Sequence, residues 1–345
     1  MPVRIADQRG ADHTAILGLG AFRPRRVVDN HEVAVAIDSN DEWIRTRSGI
    51  RERRFAGPGE SVIEMSVAAG RQALESSGVA ADQIGCVIVA TSTYTMLTPA
   101  CAPQVATALG MVETPGFDLS AGCAGFCHGL SVGSDMVRAG TASHVLVIGV
   151  EKLTDAVNPE DCSTAFLFGD GAGAVVVGPS DVNGIGPTAW GSDGDQWGAI
   201  RQTTSFADYF QDLKENGPDV VRPWLKMEGT MVFRWAAHSL EKVCREALDR
   251  AGIEPADLDA LIPHQANGRI TEVMSRVLAL PDTCVVADDI EVAGNTSAAS
   301  VPLAMEALLR SGRAKPGDTA LLIAFGAGLS YASQVVSLPG VPVTA

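Results

Sequence analysis

The chain of 345 residues is longer than a single domain usually is, and its 46% hydrophobic content is ample for two cores. A formal net charge of −15 argues against a nucleic-acid binder, because phosphate neutralisation needs a basic surface, so any acidic partner must dock on a local basic patch. With no basic-then-apolar leader, no run of about 18 apolar residues and seven cysteines that form no CxxC pair, the sequence predicts a cytoplasmic protein without membrane spans, disulfide framework or zinc site.

In chain order, "DEWIRTRSGIRERRF" (41–55) brings together Arg45, Arg47, Arg51, Arg53 and Arg54, read either as a basic docking patch or as a solvated charged face. Ser61–Ser76 has the apolar spacing of a helix and runs out at Gly78. Strands follow at "CVIVAT" from Cys86 and "GFDLS" from Gly116, then a helix over Ala124–Arg138. "HVLVIGV" from His144 and "GAVVVG" from Gly173 are apolar throughout, as strands covered on both faces should be. The Gly- and Asp-rich stretch Gly178–Gly194 reads as a hinge, and the charged, aromatic segment Asp195–Trp224 as a surface insertion. Beyond it come helices over Met231–Ala251, Ile270–Leu278 and Ala298–Arg310 and strands at "DALIP" from Asp259 and "TALLIAF" from Thr319.

The chain resembles itself. "ALESSGVAADQIGCVIV" from Ala73 aligns without gaps on "ALDRAGIEPADLDALIP" from Ala247, an offset of 174 residues. "VRAGTASHVLVIG" from Val137 echoes "LRSGRAKPGDTALLIAFG" from Leu309 at an offset of 172 once the second loop is allowed a few extra residues. Half a chain per copy predicts two α/β units, at 1–180 and 181–345. The offset of 172 carries Gly122 and Cys123 of "AGC" onto Gly294 and Asn295 of "AGN", two strand-to-helix junctions that can converge on one pocket.

Three junctions carry chemistry. From Leu119 to Ser134 there is no Asp, Glu, Lys or Arg, so the helix after Cys123 is expected at the centre of the molecule. At its N-terminus the helix dipole and free N–H groups would favour a thiolate; a small buried inert cysteine remains the other reading, and suits Cys127 and Cys86. "LIPHQAN" puts His264 and Asn267 beyond a strand end, where α/β sheets hold ligands, although a lone turn histidine is often structural. Asn295 reads as an amide donor or as an ordinary helix cap, and "AFGAGLS" from Ala324 as a turn able to offer N–H groups to an oxyanion. Neither it nor "GLGAF" at Gly18 completes a nucleotide fingerprint.

Together, "DEWIRTRSGIRERRF", "FDLSAGCAGF", "FLFGDGAGA", "PHQAN", "GNTSAASVP" and "FGAGLS" resemble 3-oxoacyl-acyl carrier protein synthase III, a ketosynthase of the thiolase-like superfamily, from about Ala15 to Leu338. The resemblance implies a five-layered αβαβα fold of two pseudo-symmetric halves, the first with the nucleophile and the second with His264 and Asn295. It implies a homodimer, a Cys123-His264-Asn295 triad and an oxyanion hole of the Cys123 and Ala327 backbone. Acyl-CoA and malonyl-acyl carrier protein are the implied partners, with no metal or organic cofactor. Trp43 and Arg47 match CoA contacts, Arg269 a carrier-protein docking position, and Thr98 the place where acetyl-restricted relatives carry Phe in the acyl pocket. Cys162 departs from the pattern, standing where an Arg usually stacks on the CoA adenine. A non-decarboxylating acyltransferase is the alternative activity; a partner subunit without catalysis would lack Cys123, and a degradative thiolase would carry a second cysteine in "AFGAGLS".

Overall fold

The structure, a computed structural model, describes residue 5 and residues 7–340. Its strands in the first half are β1 (His13–Phe22), β2 (Arg26–Asp29), β3 (Glu52–Phe55), β4 (Cys86–Ala90), β5 (Gly116–Leu119), β6 (Val145–Glu151) and β7 (Gly171–Ser180). Those in the second are β8 (Ala189–Ser192), β9 (Ile200–Gln202), β10 (Leu225–Met227), β11 (Ala260–Pro263), β12 (Val285–Val286), β13 (Thr319–Phe325) and β14 (Ser330–Ser337). The helices are α1 (Asn30–Ala36), α2 (Asp41–Ser48), α3 (Val62–Ser77), α4 (Ala102–Ala108), α5 (Gly125–Ala139), α6 (Phe206–Asn216), α7 (Gly229–Ala251), α8 (Gly268–Val277), α9 (Ile290–Ala293) and α10 (Ser300–Arg310).

One five-stranded sheet has the order β1-β7-β6-β4-β5 and the other β8-β14-β13-β11-β12, so each strand of the second takes the place of its counterpart in the first. β4 and its counterpart β11 run parallel to both neighbours, while β6 and β13 pair antiparallel with β7 and β14 on their other side. Parallel neighbours need a crossover, and α5 and α10 supply it. Alternation along each strand then feeds two layers. Ile88 and Val147 turn inward onto Phe126 and Leu130 of α5, while Val87, Val89, Leu146 and Ile148 turn outward onto Met65, Ala69 and Ala73 of α3. Ile262 and Leu322 repeat the inward role, and Leu261 and Leu321 pack outward on α7. The layers are therefore α3, sheet, α5 with α10, sheet, α7.

Local chemistry fixes the ends of these helices. Ser61 and Glu64 form a reciprocal capping box at the start of α3, and Gly78 at φ +68° ends it, features that contribute about 1 kcal/mol per cap. The uncharged stretch behaves as expected: α5 buries Phe126, Cys127, Leu130 and Ser134 between the sheets, with charge returning only at Asp135 and Arg138. No helix among the described residues is long and apolar enough to cross a membrane.

The register of the repeat differs from the one expected. α5 and α10 begin 175 positions apart, and the 3-10 turns before them, Gly122–Ala124 and Ser297–Ala299, keep that spacing. Gly122 (φ +53°) and Ser297 (φ +50°) share the same left-handed conformation, which marks them as equivalents. Cys123 is therefore matched by Ala298, and the pairing of Cys123 with Asn295 at an offset of 172 is corrected. The shared "AG" dipeptide misled the alignment, because backbone conformation at the turn, not the letters before it, sets the register. The Asp195–Trp224 segment also does more than decorate the surface. It holds the exposed helix α6 on a two-stranded β9–β10 ribbon whose ends, Ile200 at one side and Leu225 and Met227 at the other, reach the central cavity.

Candidate active site

Three loops meet beyond the C-terminal ends of the parallel strands β5, β11 and β12. Cys123 lies in the turn before α5, His264 follows β11, and Asn295 precedes the turn before α10. All three line one cavity of about 550 Å³, together with Ala327, Trp43, Arg47, Cys162 and Arg269.

Two glycines let the loops interlock. A Cβ on Gly122 would lie 2.7 Å from the Ala327 nitrogen, and one on Gly326 would lie 2.4 Å from the Cys123 nitrogen. Both distances are below any normal contact, so only glycine lets the Cys123 and Ala327 loops approach this closely at the cavity. Gly326 has φ −169°, ordinary extended backbone, so space alone demands glycine there. Gly326→Ala should therefore move Cys123 and slow its modification by a reactive substrate at least about 100-fold, the usual cost of losing an oxyanion donor. Circular dichroism should stay native; a variant that keeps its full rate would show that the two N–H groups need not meet.

His264 is buried, its ring edge-on to Phe325 with centroids 5.5 Å apart, and burial drives its pKa down to about 3. It is neutral at physiological pH. Nδ1 is 2.6 Å from Ser300 Oγ, which also accepts from the Gln265 N–H at 3.3 Å. Among the described residues Nδ1 is the acceptor within reach of the Ser300 hydroxyl hydrogen, and with Ser300 donating there Nε2 carries the proton. The Asn295 carboxamide is fixed in the same way. Its Oδ1 accepts from the Ser297 N–H at 2.9 Å, so its NH₂ group remains as the free donor, and its backbone is tied to Leu167 (2.8 Å) and Gly169 (3.0 Å).

The Cys123 thiol does not rest as the thiolate expected from the helix dipole. Burial pushes it up to about 12, against the opposing pull of a hydrogen bond with Ser297, and the nearby Glu151 charge raises it further. Desolvation outweighs the dipole of a helix end.

The remaining candidates divide. Trp43 packs edge-on against Phe166 at 5.0 Å and carries the Arg47 guanidinium 4.4 Å above its ring. Arg269, exposed at the start of α8, lies near the Phe233 ring. Asn267 caps α8 through Oδ1 and donates to the Arg47 carbonyl at 2.9 Å, joining α2 to α8. Exposed Cys162 lies on the rim with Trp43. The arginine run is not one patch, which corrects that expectation. Arg53 is fully buried, bonded to Asn30 Oδ1 at 2.9 Å and the Phe166 carbonyl at 2.8 Å, and burial lowers its pKa to about 10. Arg45 pairs with Asp41 and Arg51 with Glu291, which leaves Arg47 and Arg269 as the basic groups at the mouth. Thr98 is exposed on the 92–100 segment and does not line the cavity of its own chain, whose apolar wall comes instead from Phe166, Phe168, Leu225, Val232 and Phe325. Sequence reading missed Ser297, Ser300 and Glu151, which act through hydrogen bonds between segments more than 35 residues apart and leave no local pattern.

Comparison with known proteins places the whole chain among similar sequences and folds. Family profiles described as 3-oxoacyl-[acyl-carrier-protein (ACP)] synthase III and its C-terminal part match residues 117–194 and 248–338. A beta-ketoacyl-[acyl-carrier-protein] synthase III of Mycobacteroides abscessus is 54% identical over 98% of this chain and 98% of its own. A mycobacterial beta-ketoacyl-[acyl-carrier-protein] synthase III of Mycobacterium marinum is 52% identical over 97% and 98%. The crystal structure of the priming beta-ketosynthase from the R1128 polyketide biosynthetic pathway superposes with a TM-score of 0.93 at 48% identity, covering 99% of this chain and 100% of that one.

Proposed function

The chain belongs to the 3-oxoacyl-[acyl-carrier-protein] synthase III family, and from that premise we infer that it condenses an acyl-CoA primer with malonyl-acyl carrier protein. The reaction releases CoA and CO₂ and begins a fatty acid or primes a polyketide. Cys123 attacks the acyl thioester, and the N–H groups of Cys123 and Ala327 hold the oxyanion while CoA departs. Malonyl-carrier protein then enters. As CO₂ leaves, its thioester oxygen gathers enolate charge and accepts from His264 Nε2–H and Asn295 Nδ2–H, and the carbanion attacks acyl-Cys123. A neutral His264 suits this role, since a donor is needed and a proton transfer is not. The observation that carries the reading is the cavity shared by Cys123 with two oriented N–H donors. CO₂ release from malonyl-carrier protein should depend on an acyl-CoA primer. No release with any primer would favour the non-decarboxylating acyltransferase, and release without one would separate decarboxylation from condensation.

The finer assignments rest on the same reading. Arg47 and Arg269 at the mouth are suited to an acidic carrier protein and to CoA phosphates. A homodimer is supported by the edge position of β5 and by exposed Leu97, Val112 and Phe117 nearby, and only across such an interface would Thr98 reach an acyl pocket. Residues 1–180 and 181–345 would be the two thiolase-like halves, although 1–4, 6 and 341–345 lie outside the described residues. The cytoplasm is the compartment this chemistry implies.

Cys162 bears on the donor. A guanidinium stacked on a nucleobase contributes roughly 0.5–2 kcal/mol, which a thiol cannot replace. Cys162→Arg should therefore lower KM for acyl-CoA several-fold and leave kcat, and any reaction with an acyl-carrier protein donor, nearly unchanged. Steady-state kinetics with both donors check this: an unchanged KM for acyl-CoA would mean that the site does not meet the adenine.

A further inference from the structure

Glu151, the last residue of β6, is fully buried beside the nucleophile and takes part in none of the steps above. Its carboxylate sits in a socket of donors. Thr93 Oγ1 donates at 2.6 Å, the Ser92 N–H at 3.0 Å, Ser92 Oγ at 3.2 Å and Thr91 Oγ1 at 3.3 Å, all from the segment that continues β4. The fifth donor, Ser297 Oγ at 3.1 Å, comes from the other half of the molecule. Ser297 lines the same cavity as the Cys123 side chain, and the two turns that carry them pack on each other. The hydroxyl thus stands between a buried acid and the thiol, at a residue held in the left-handed conformation (φ +50°) that favours glycine. A buried carboxylate is costly, and packing alone would be met by an apolar side chain.

Taking Cys123 as the nucleophile, we propose that Glu151 is its proton acceptor, reached through the Ser297 hydroxyl. The S–H bond breaks and its proton passes to Ser297 Oγ while the Ser297 proton passes to the Glu151 carboxylate. The products are a thiolate that accepts from Ser297 O–H and a neutral carboxylic acid that donates to Ser297 Oγ. Net charge in the pocket does not change. Burial raises the carboxyl as well as the thiol, so one disfavoured anion is exchanged for another and no ion is created anew. When condensation releases the Cys123 thiolate, the proton returns by the same route. The groups facing Glu151 are Thr91, Ser92 and Thr93 from the β4 side and Ser297 and the Cys123 thiol from the two turns; the next residue after its strand, Lys152, has its ammonium 3.3 Å from Asp155.

Alkylation of Cys123 by iodoacetamide tests the relay without any substrate. It is followed by peptide mass in a Cys127→Ala background, in the parent, Glu151→Gln and Ser297→Gly. Gln keeps the shape of the acid, and Gly accepts the positive φ, so the turn survives both changes. In the parent the proton stays inside the protein, and the rate should be nearly flat from about pH 6 to 8. In either variant the proton must leave to water, so the rate should fall at least about tenfold at neutral pH and climb about tenfold per pH unit. Variant profiles parallel to the parent's, at the same or a uniformly lower rate, would overturn the proposal, as would a parent rate that already climbs tenfold per unit. CO₂ release from malonyl-carrier protein by the parent loaded from acetyl-, butyryl- or isobutyryl-CoA, measured separately, tests the condensation reading by itself.

Discussion

Cys123→Ala is expected to abolish acyl labelling, while Cys127→Ala keeps at least about half of it. Acidity cannot distinguish the two residues, because burial pushes both thiols up to about 12. Position does. Cys123 opens into the cavity beside Ser297 and lies where the Gly122 and Gly326 loops interlock. Cys127, one turn along α5, is packed among Phe126, Leu130 and the inward faces of both sheets. Its truncation costs about 1 kcal/mol of packing and touches no reacting atom. Labelling that survives in Cys123→Ala would remove the nucleophile from the account.

Asn295→Ala should separate the two half-reactions. The side chain supplies one donor for the enolate, and losing such a donor costs about 100- to 1,000-fold. CO₂ release should fall by that factor, whereas acyl loading should change by no more than a few-fold, because the proposed oxyanion donors belong to Cys123 and Ala327. The backbone of Asn295 keeps its bonds to Leu167 and Gly169 after truncation, so the loop has reason to stay in place. Stopped loading and CO₂ assays on the same preparation decide it. Equal losses in both steps would make Asn295 a support for the Ser297 turn instead of a donor.

Of the strands that the sequence announced, β4, β6, β7, β11 and β13 have unbroken apolar runs, because burial on both faces demands such runs, while β5 carries a charge inside its run, at Asp118. β1 and β14 escaped notice. "HTAILGLGAF" and "SYASQVVS" mix small and polar residues that only tertiary pairing turns into strands. Cys123, His264 and Asn295 were legible as motifs at junctions, but the geometry joining them was not. The repeat pointed to the right two turns and missed their register by three residues, since the left-handed positions at Gly122 and Ser297 are occupied by different amino acids. Arg53 looked like its neighbours in a charged run, yet strand β3 turns it into the core against Asn30 and Phe166. Glu151 meets Ser297 across 146 positions of chain, a distance over which no local pattern can announce a contact.

The central claim is that the primer rests on Cys123 and leaves it for a malonyl-derived carbanion. The intact protein mixed with a panel of acyl-CoAs should gain one acyl mass, mapped to the Cys123 peptide. Addition of malonyl-carrier protein should then discharge the adduct with one CO₂ released per acyl group lost. An adduct on another residue, or one that persists while CO₂ is released, would contradict the account.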